Sequence, residues 1–176
     1  MDYVLRRATP EDAEAIVLMH TAAHEESYGH LLSPGFFAER RRSIPERVAR
    51  RRPYLDVPHP RIVAEDASGE IVGLADAGPP REDSPFPLEL YSIFVLSRAQ
   101  GSGLGKALLG AALGDSPAYL WVLEENVRAQ SFYLRQGFAF DGGRGNLPPE
   151  WESVPELRMV RDRPATAPIL SDHIEV

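Results

Sequence analysis

The chain has 176 residues, a net charge of -7 and no cysteine. This length suits one domain with one sizeable core. The missing thiols exclude disulfides, a cysteine nucleophile and thiolate metal sites. No apolar run approaches the roughly 20 residues of a membrane helix. The Met1-Asp2-Tyr3 opening lacks a basic-then-apolar signal pattern, so the expectation is a cytoplasmic protein with no membrane partner. An acidic balance argues against general nucleic-acid binding. The charge is uneven, however. Residues 40–52 hold seven arginines against one acid, Glu46, a local +6 that leaves -13 on the rest.

Val4 to Arg7 reads as a short strand. Thr9-Pro10-Glu11-Asp12 then opens a helix, with Thr9 as cap and Pro10 in the first helical position. Ala13, Ile16, Val17, His20 and His24 recur at helical spacing. Ser33-Pro34-Gly35 marks a break, and a second helical stretch runs from Phe36 to Arg51, interrupted by Pro45. Arg61–Glu65 and Glu70–Ala75 form a hairpin pattern around Ala67-Ser68-Gly69. A proline-rich loop precedes the strongest strand, Leu88 to Leu96. Gly103 to Leu113 reads as a helix with Leu104, Ala107, Leu108 and Ala111 on one face. Ala118 to Leu123 is a buried strand. Asn126 to Gln136 is a helix ended by Gly137. Phe138–Phe140 and Glu156–Arg161 are the last strands, joined by a Gly/Pro-rich loop. From Pro164 the composition suits a loose tail, so the domain is expected over residues 1–163 with a tail over 164–176. The alternation predicts a mixed α/β domain.

The segment Gln100-Gly101-Ser102-Gly103-Leu104-Gly105-Lys106 follows a strand and opens a helix. Alternate glycines allow a tight turn whose N–H groups converge, and the helix N-terminus adds unpaired donors and a positive dipole end. That combination suits a pyrophosphate. The P-loop pattern fails at Gln100 and Ala107, the dinucleotide fingerprint fails at Lys106 and at Leu108, and a Ser102 nucleophile elbow fails at Gln100. A glycine-rich turn with no ligand is the plain alternative.

Gln100-x-x-Gly103-x-Gly105 resembles the Q/R-x-x-G-x-G/A loop of the GNAT superfamily of acetyl-CoA-dependent N-acetyltransferases. Leu88 to Val95 is similar to that family's central strand. Leu120 to Asn126, Ala129 and Phe132-Tyr133-Leu134-Arg135-Gln136-Gly137-Phe138 resemble its second cofactor motif. The combination spans residues 88–140, and the early strand-helix and hairpin fall in family order. The resemblance implies a mixed, mostly antiparallel central sheet flanked by helices, with splayed central strands. It implies acetyl-CoA as cofactor, its pyrophosphate held by Gln100, Gly101, Ser102, Gly103, Leu104, Gly105 and Lys106, with Asn126 a further contact. The main chain of Ile93, Phe94 and Val95 would pair with the pantetheine, and an N–H there could hold the oxyanion.

On the same resemblance Tyr133 is the candidate general acid, with a core aromatic as its plain alternative. Glu89 is the candidate general base for an amine acceptor, with a solvent-facing strand-end carboxylate as its alternative and Tyr91 as another relay. His24, Tyr28, His30 and the Asp141–Pro155 loop with Trp151 would border the acceptor. His20 and His24 lack the partners of a metal site, so no metal is expected. Arg98 or Arg135 would meet the 3'-phosphate of the cofactor. The arginine segment reads as a solvated helix face, with an anionic partner or a homodimer contact as the sharper readings. The expected activity is direct transfer of acetyl to a primary amine of a small molecule or peptide. A non-catalytic acyl-CoA-binding regulator and a nucleotide-binding module are the alternatives.

Overall fold

A computed structural model describes residues 3–59 and 61–162. The tail expected over 164–176 and the boundary at 163 lie outside the described residues. In chain order the elements are β1 (Val4–Arg7), α1 (Ala13–Tyr28), α2 (Pro34–Arg42), α3 (Ile44–Tyr54), β2 (Arg61–Glu65), β3 (Ile71–Gly78) and β4 (Leu88–Val95). Then come α4 (Leu104–Leu113), β5 (Ala118–Leu123), α5 (Val127–Arg135), β6 (Ala139–Asn146) and β7 (Pro155–Arg161).

Local chemistry accounts for most boundaries. The Asp12 carboxylate accepts from the Thr9 N–H at 2.7 Å and from its hydroxyl at 3.2 Å, closing a one-turn 3-10 start before α1. The Ser33 hydroxyl accepts from Phe36 N–H to cap α2. The interruption falls at Ser43, and Pro45 sits in the first turn of α3, where its missing N–H costs nothing. Gly137 ends α5 with φ +84°, while the Phe138 N–H reaches back to the Tyr133 carbonyl at 3.1 Å.

The strands form one sheet in the order β1-β2-β3-β4-β5-β7-β6. Every pairing is antiparallel except β4 with β5. Leu74 pairs with Phe94, and Phe94 packs on His20 and His24 of α1, each 4.7 Å between ring centroids. One residue earlier the sheet presents its other face. A Cβ on Gly73 would lie 2.8 Å from Leu108 of α4, so the glycine lets α4 sit close. The main core therefore lies in two layers, one on each side of the sheet.

Two expectations are corrected. The buried face of α4 is Leu104, Leu108, Leu109, Ala112 and Leu113, whereas Ala107 and Ala111 are exposed. The stretch after Phe140 is also not all loop: β6 continues to Asn146, with an irregularity in its pairing between Phe140 and Arg144.

Candidate active site

β4 and β5 are hydrogen-bonded only from Leu88↔Ala118 to Leu90↔Leu120. Beyond that point β4 stays with β3 and β5 stays with β7, so the two strands part. Tyr91 is skipped in the β3–β4 register, a bulge at the vertex of the gap. The parted strands leave inner backbone edges free, and such groups need partners. Two are met by side-chain amides: Gln100 Nε2 donates to Val95 O at 2.8 Å, and Gln130 Nε2 donates to Leu123 O at 3.0 Å.

A cleft of about 740 Å³ runs from this gap to the start of α4. Ile93, Val95, Gln100, Gly101, Gly103 and Gly105 line it, together with Lys106 and Asn126. Gly101 and Gly103 have φ +78° and +86°, a region that suits glycine, and nothing would obstruct a ligand over them. Gly105 serves packing instead, since an added Cβ would lie 3.4 Å from Phe132 of α5. Ser102 turns its hydroxyl to Ala99 O at 2.7 Å, and the Leu104 side chain is in the core, so neither side chain serves the cleft. Phe94 sends its side chain to α1.

Asn126 caps α5 by accepting from Ala129 N–H at 3.1 Å. Its amide also meets the Tyr28 hydroxyl, whose pKa burial pushes up to about 12. Tyr133 is 7% exposed, with its ring 5.3 Å from Phe132 and 5.8 Å from Phe138. Burial, and then the neighbouring Tyr28, raise its pKa far above that of a free phenol. The Tyr28 ring lies 6.0 Å from Phe94 of β4, whereas Tyr133 stands behind Phe132 and is not among the residues lining the cleft.

Glu89 is 1% exposed and lies in β4 opposite Tyr119. Its Oε1 accepts from Arg81 Nε at 2.9 Å and from Arg81 Nη2. Its Oε2 accepts from Arg81 N–H and the Tyr119 hydroxyl, both at 2.9 Å. The solvent-facing alternative is thus replaced by a buried, saturated carboxylate. Tyr91 donates to Pro79 O and lies 4.9 Å under the Arg81 guanidinium. Glu156 of β7 is half-buried near this group, beside the Trp121 ring and Gly145. It makes no hydrogen bond or ion pair with the described residues, and burial raises its pKa above the usual carboxylate range.

The acetyltransferase (GNAT) family profile matches residues 2–138. The chain belongs to the GNAT acetyltransferase family. It is 40% identical over 72 residues to the uncharacterized N-acetyltransferase YuaI of Bacillus subtilis, a match covering 37% of this chain and 42% of that protein. It is 38% identical over 107 residues to the mycothiol acetyltransferase of Frankia casuarinae, covering 52% of this chain and 30% of that protein. The chain thus spans less than half the length of these relatives. The phosphinothricin acetyltransferase of Sinorhizobium meliloti in complex with AcCoA shares the fold. There the TM-score is 0.64 at 22% identity, covering 97% of this chain and 95% of that one.

The GNAT frame sorts the remaining expectations. Arg135 lines the cleft, whereas Arg98 is held by Asp66 at 2.7 Å and Glu70 at 2.8 Å. His30 lines the cleft, and Trp151 closes on His24 at 5.1 Å. Sequence reading missed Glu26, which lines the cleft and accepts from Ser97 N–H at 2.8 Å, tying α1 to the 3-10 turn that follows β4. It also missed Phe132, Arg128 and Glu156. Phe132 had a signal, its place beside Tyr133; Glu156 had none. Among the described residues no group of three or more potential ligands could hold a metal ion, and no helix is long and apolar enough to cross a membrane.

Proposed function

We propose that the chain is an N-acetyltransferase that moves acetyl from acetyl-CoA to a primary amine of a small molecule or peptide, by direct transfer. The observation that carries this reading is the meeting, in one cleft, of the Gly101–Lys106 turn and the free inner edge of β4. The donors fit an elongated anionic thioester. N–H groups of residues 101–106 and the α4 N-terminus suit a pyrophosphate, with Lys106, Arg128 and Arg135 adding positive charge. The β4 backbone over Ile93, Phe94 and Val95 suits the amides of a pantetheine arm. Bound acetyl-CoA supplies an activated thioester. The chain supplies orientation, an N–H of β4 for charge developing on the carbonyl oxygen, and Tyr133 as a donor to the departing sulfur. A phenol held protonated suits that role at any neutral pH.

An amine acceptor arrives as ammonium and must lose a proton. Glu89, with four donors on two oxygens, has no acceptor capacity to spare, so it holds Arg81 and Tyr119 in place rather than taking the proton. Glu156 has free oxygens and a raised pKa on the same face, which makes it the better proton acceptor. A cytoplasmic setting, and an acceptor that is neither nucleic acid nor lipid, belong to the same proposal. Calorimetry with acetyl-CoA, CoA and ATP, followed by thiol release over an amine panel, tests it. Acetyl-CoA binding with thiol release on at least one amine is expected. ATP binding without CoA binding would overturn the reading, and CoA binding with no release on any amine would leave an acyl-CoA-binding protein instead.

A further inference from the structure

Between α2, α3 and the loop joining β6 to β7 lies a second cavity of about 330 Å³, lined by Phe36, Arg40, Arg47, Arg50 and Trp151. The arginine segment is thus not simply a solvated face. The Arg40 guanidinium lies 4.6 Å over the Trp151 ring and 5.6 Å from Phe36, and its Nε is buried with no hydrogen-bond partner. Arg47 is fixed by donating to Thr21 Oγ1 at 2.7 Å and Arg40 O at 3.2 Å. Glu39, Glu46 and Glu150 share the rim, but Glu39 is taken by Arg42. Among the described residues no ion pair joins Arg40, Arg47 or Arg50 to any carboxylate.

Several arginines elsewhere are paired with acids. Arg6 pairs with Asp12 and Glu65, Arg41 with Glu25, and Arg98 with Asp66 and Glu70. Here burial and mutual repulsion lower the Arg40 pKa to about 10 and that of Arg47 below its usual value. Glu46 and Glu150 stand at the rim without pairing to these arginines. Partly buried guanidinium groups that no carboxylate engages are costly, and a planar fork of donors matches an oxyanion. We propose that this cavity binds an oxyanion, a phosphate or carboxylate group held by Arg40, Arg47 and Arg50 beside the Trp151 ring. Trp151 is 5.1 Å from His24, and His24 is 4.7 Å from Phe94 on the parted strand. The anion therefore sits one aromatic layer from the transfer site. Its source is either the acceptor's own charged end or a separate small anion. The site stands on its own geometry and does not depend on the acetyl-transfer reading.

The full chain is titrated with inorganic phosphate by calorimetry at fixed ionic strength, with tryptophan fluorescence as a second signal. Saturable binding is expected, weakened about tenfold or more in Arg40→Gln/Arg47→Gln, the scale of lost charge-assisted hydrogen bonds. Arg52→Gln, exposed on α3 and outside the cavity lining, leaves it unchanged. Circular dichroism checks the fold, and if the double variant does not fold, the exposed Arg50→Gln replaces it. Absent saturation, equal affinity in the variant, or an equal loss in Arg52→Gln would overturn the site. Thiol release is then compared for amines with and without a carboxylate or phosphate. A preference for anionic amines that Arg50→Gln abolishes assigns the site to the acceptor; a preference that is absent or unaltered assigns it to a free anion. Should acetyl-CoA not bind at all, the functional reading fails while the phosphate titration still decides the cavity.

Discussion

Tyr133 is held by packing, so its hydroxyl can be removed without disturbing its ring. Tyr133→Phe keeps the contacts to Phe132 and Phe138. Turnover is expected to fall by about tenfold or more, within the range of lost acid catalysis, while calorimetry shows acetyl-CoA affinity unchanged. Equal turnover would make Tyr133 a core aromatic only. The two carboxylates on the acceptor face divide differently. Glu156→Gln is expected to remove the acidic limb of the kcat/KM–pH profile, because a raised carboxyl pKa places that limb above the usual carboxylate range. Glu89→Gln turns an amide N–H toward Arg81 in place of an acceptor. It should lower the unfolding free energy by about 1–3 kcal/mol in a urea titration and leave the shape of the profile intact. An unshifted profile in Glu156→Gln would leave water as the proton acceptor. The glycine turn and the Asn126 cap of α5 were legible in the sequence because both are local, set by spacing along one loop and one helix; the acid role of Tyr133 is what the family resemblance implies. Glu156 was not legible, because only the pairing of β7 beside β5 brings it to the parted strands.

At the scale of elements, α1 carries a buried pair of imidazoles. His20 and His24 stack at 4.2 Å, and both pKa values lie well below that of free histidine. Burial is the main cause. Arg51, Arg40 and Arg47 add repulsion at His20; His20, Arg40 and Arg47 add it at His24. Both rings are therefore neutral when folded, whereas the unfolded chain takes up their protons near pH 6.5. The unfolded state binds more protons, so stability rises with pH and is lost as pH falls below about 6.5. Each histidine contributes at most about 1.4 kcal/mol per pH unit. Urea titrations between pH 7.5 and 5.5 should show a shallower fall in His24→Gln than in the parent; equal slopes would mean the pair is hydrated. Element type was largely legible from period and caps, and two faults have physical causes. Ala107 and Ala111 are small enough to sit on either face of α4, so composition did not fix its rotation. The Gly142-Gly143-Arg144-Gly145-Asn146 run hides a strand, since glycine lacks the side chain that alternation would reveal.

For the whole molecule, the net charge of -7 joins unlike parts, and the structure shows where they meet. The arginine-rich pair α2 and α3 is laid on one face of the sheet, and Asp76 of β3 is the acid that receives it. Its Oδ1 accepts from Arg61 Nε of β2 at 2.9 Å, and its Oδ2 lies 3.2 Å from Arg51 Nη2 of α3. That triad links hairpin to helix at a buried point on the same strand that pairs with β4. Composition announced the arginines but not this tie, because an acid 24 residues beyond the run is found only once the hairpin folds back. Removing Asp76 leaves two guanidinium groups facing each other away from water, an uncompensated charge worth about 3–5 kcal/mol. Asp76→Ala is thus expected to shift the urea midpoint down by that equivalent. Adding Arg61→Leu should recover part of the loss, since the second substitution removes one stranded charge. A double variant no more stable than the single one would mean that the cost is the cavity at residue 76 rather than the charge, and the cycle separates the two.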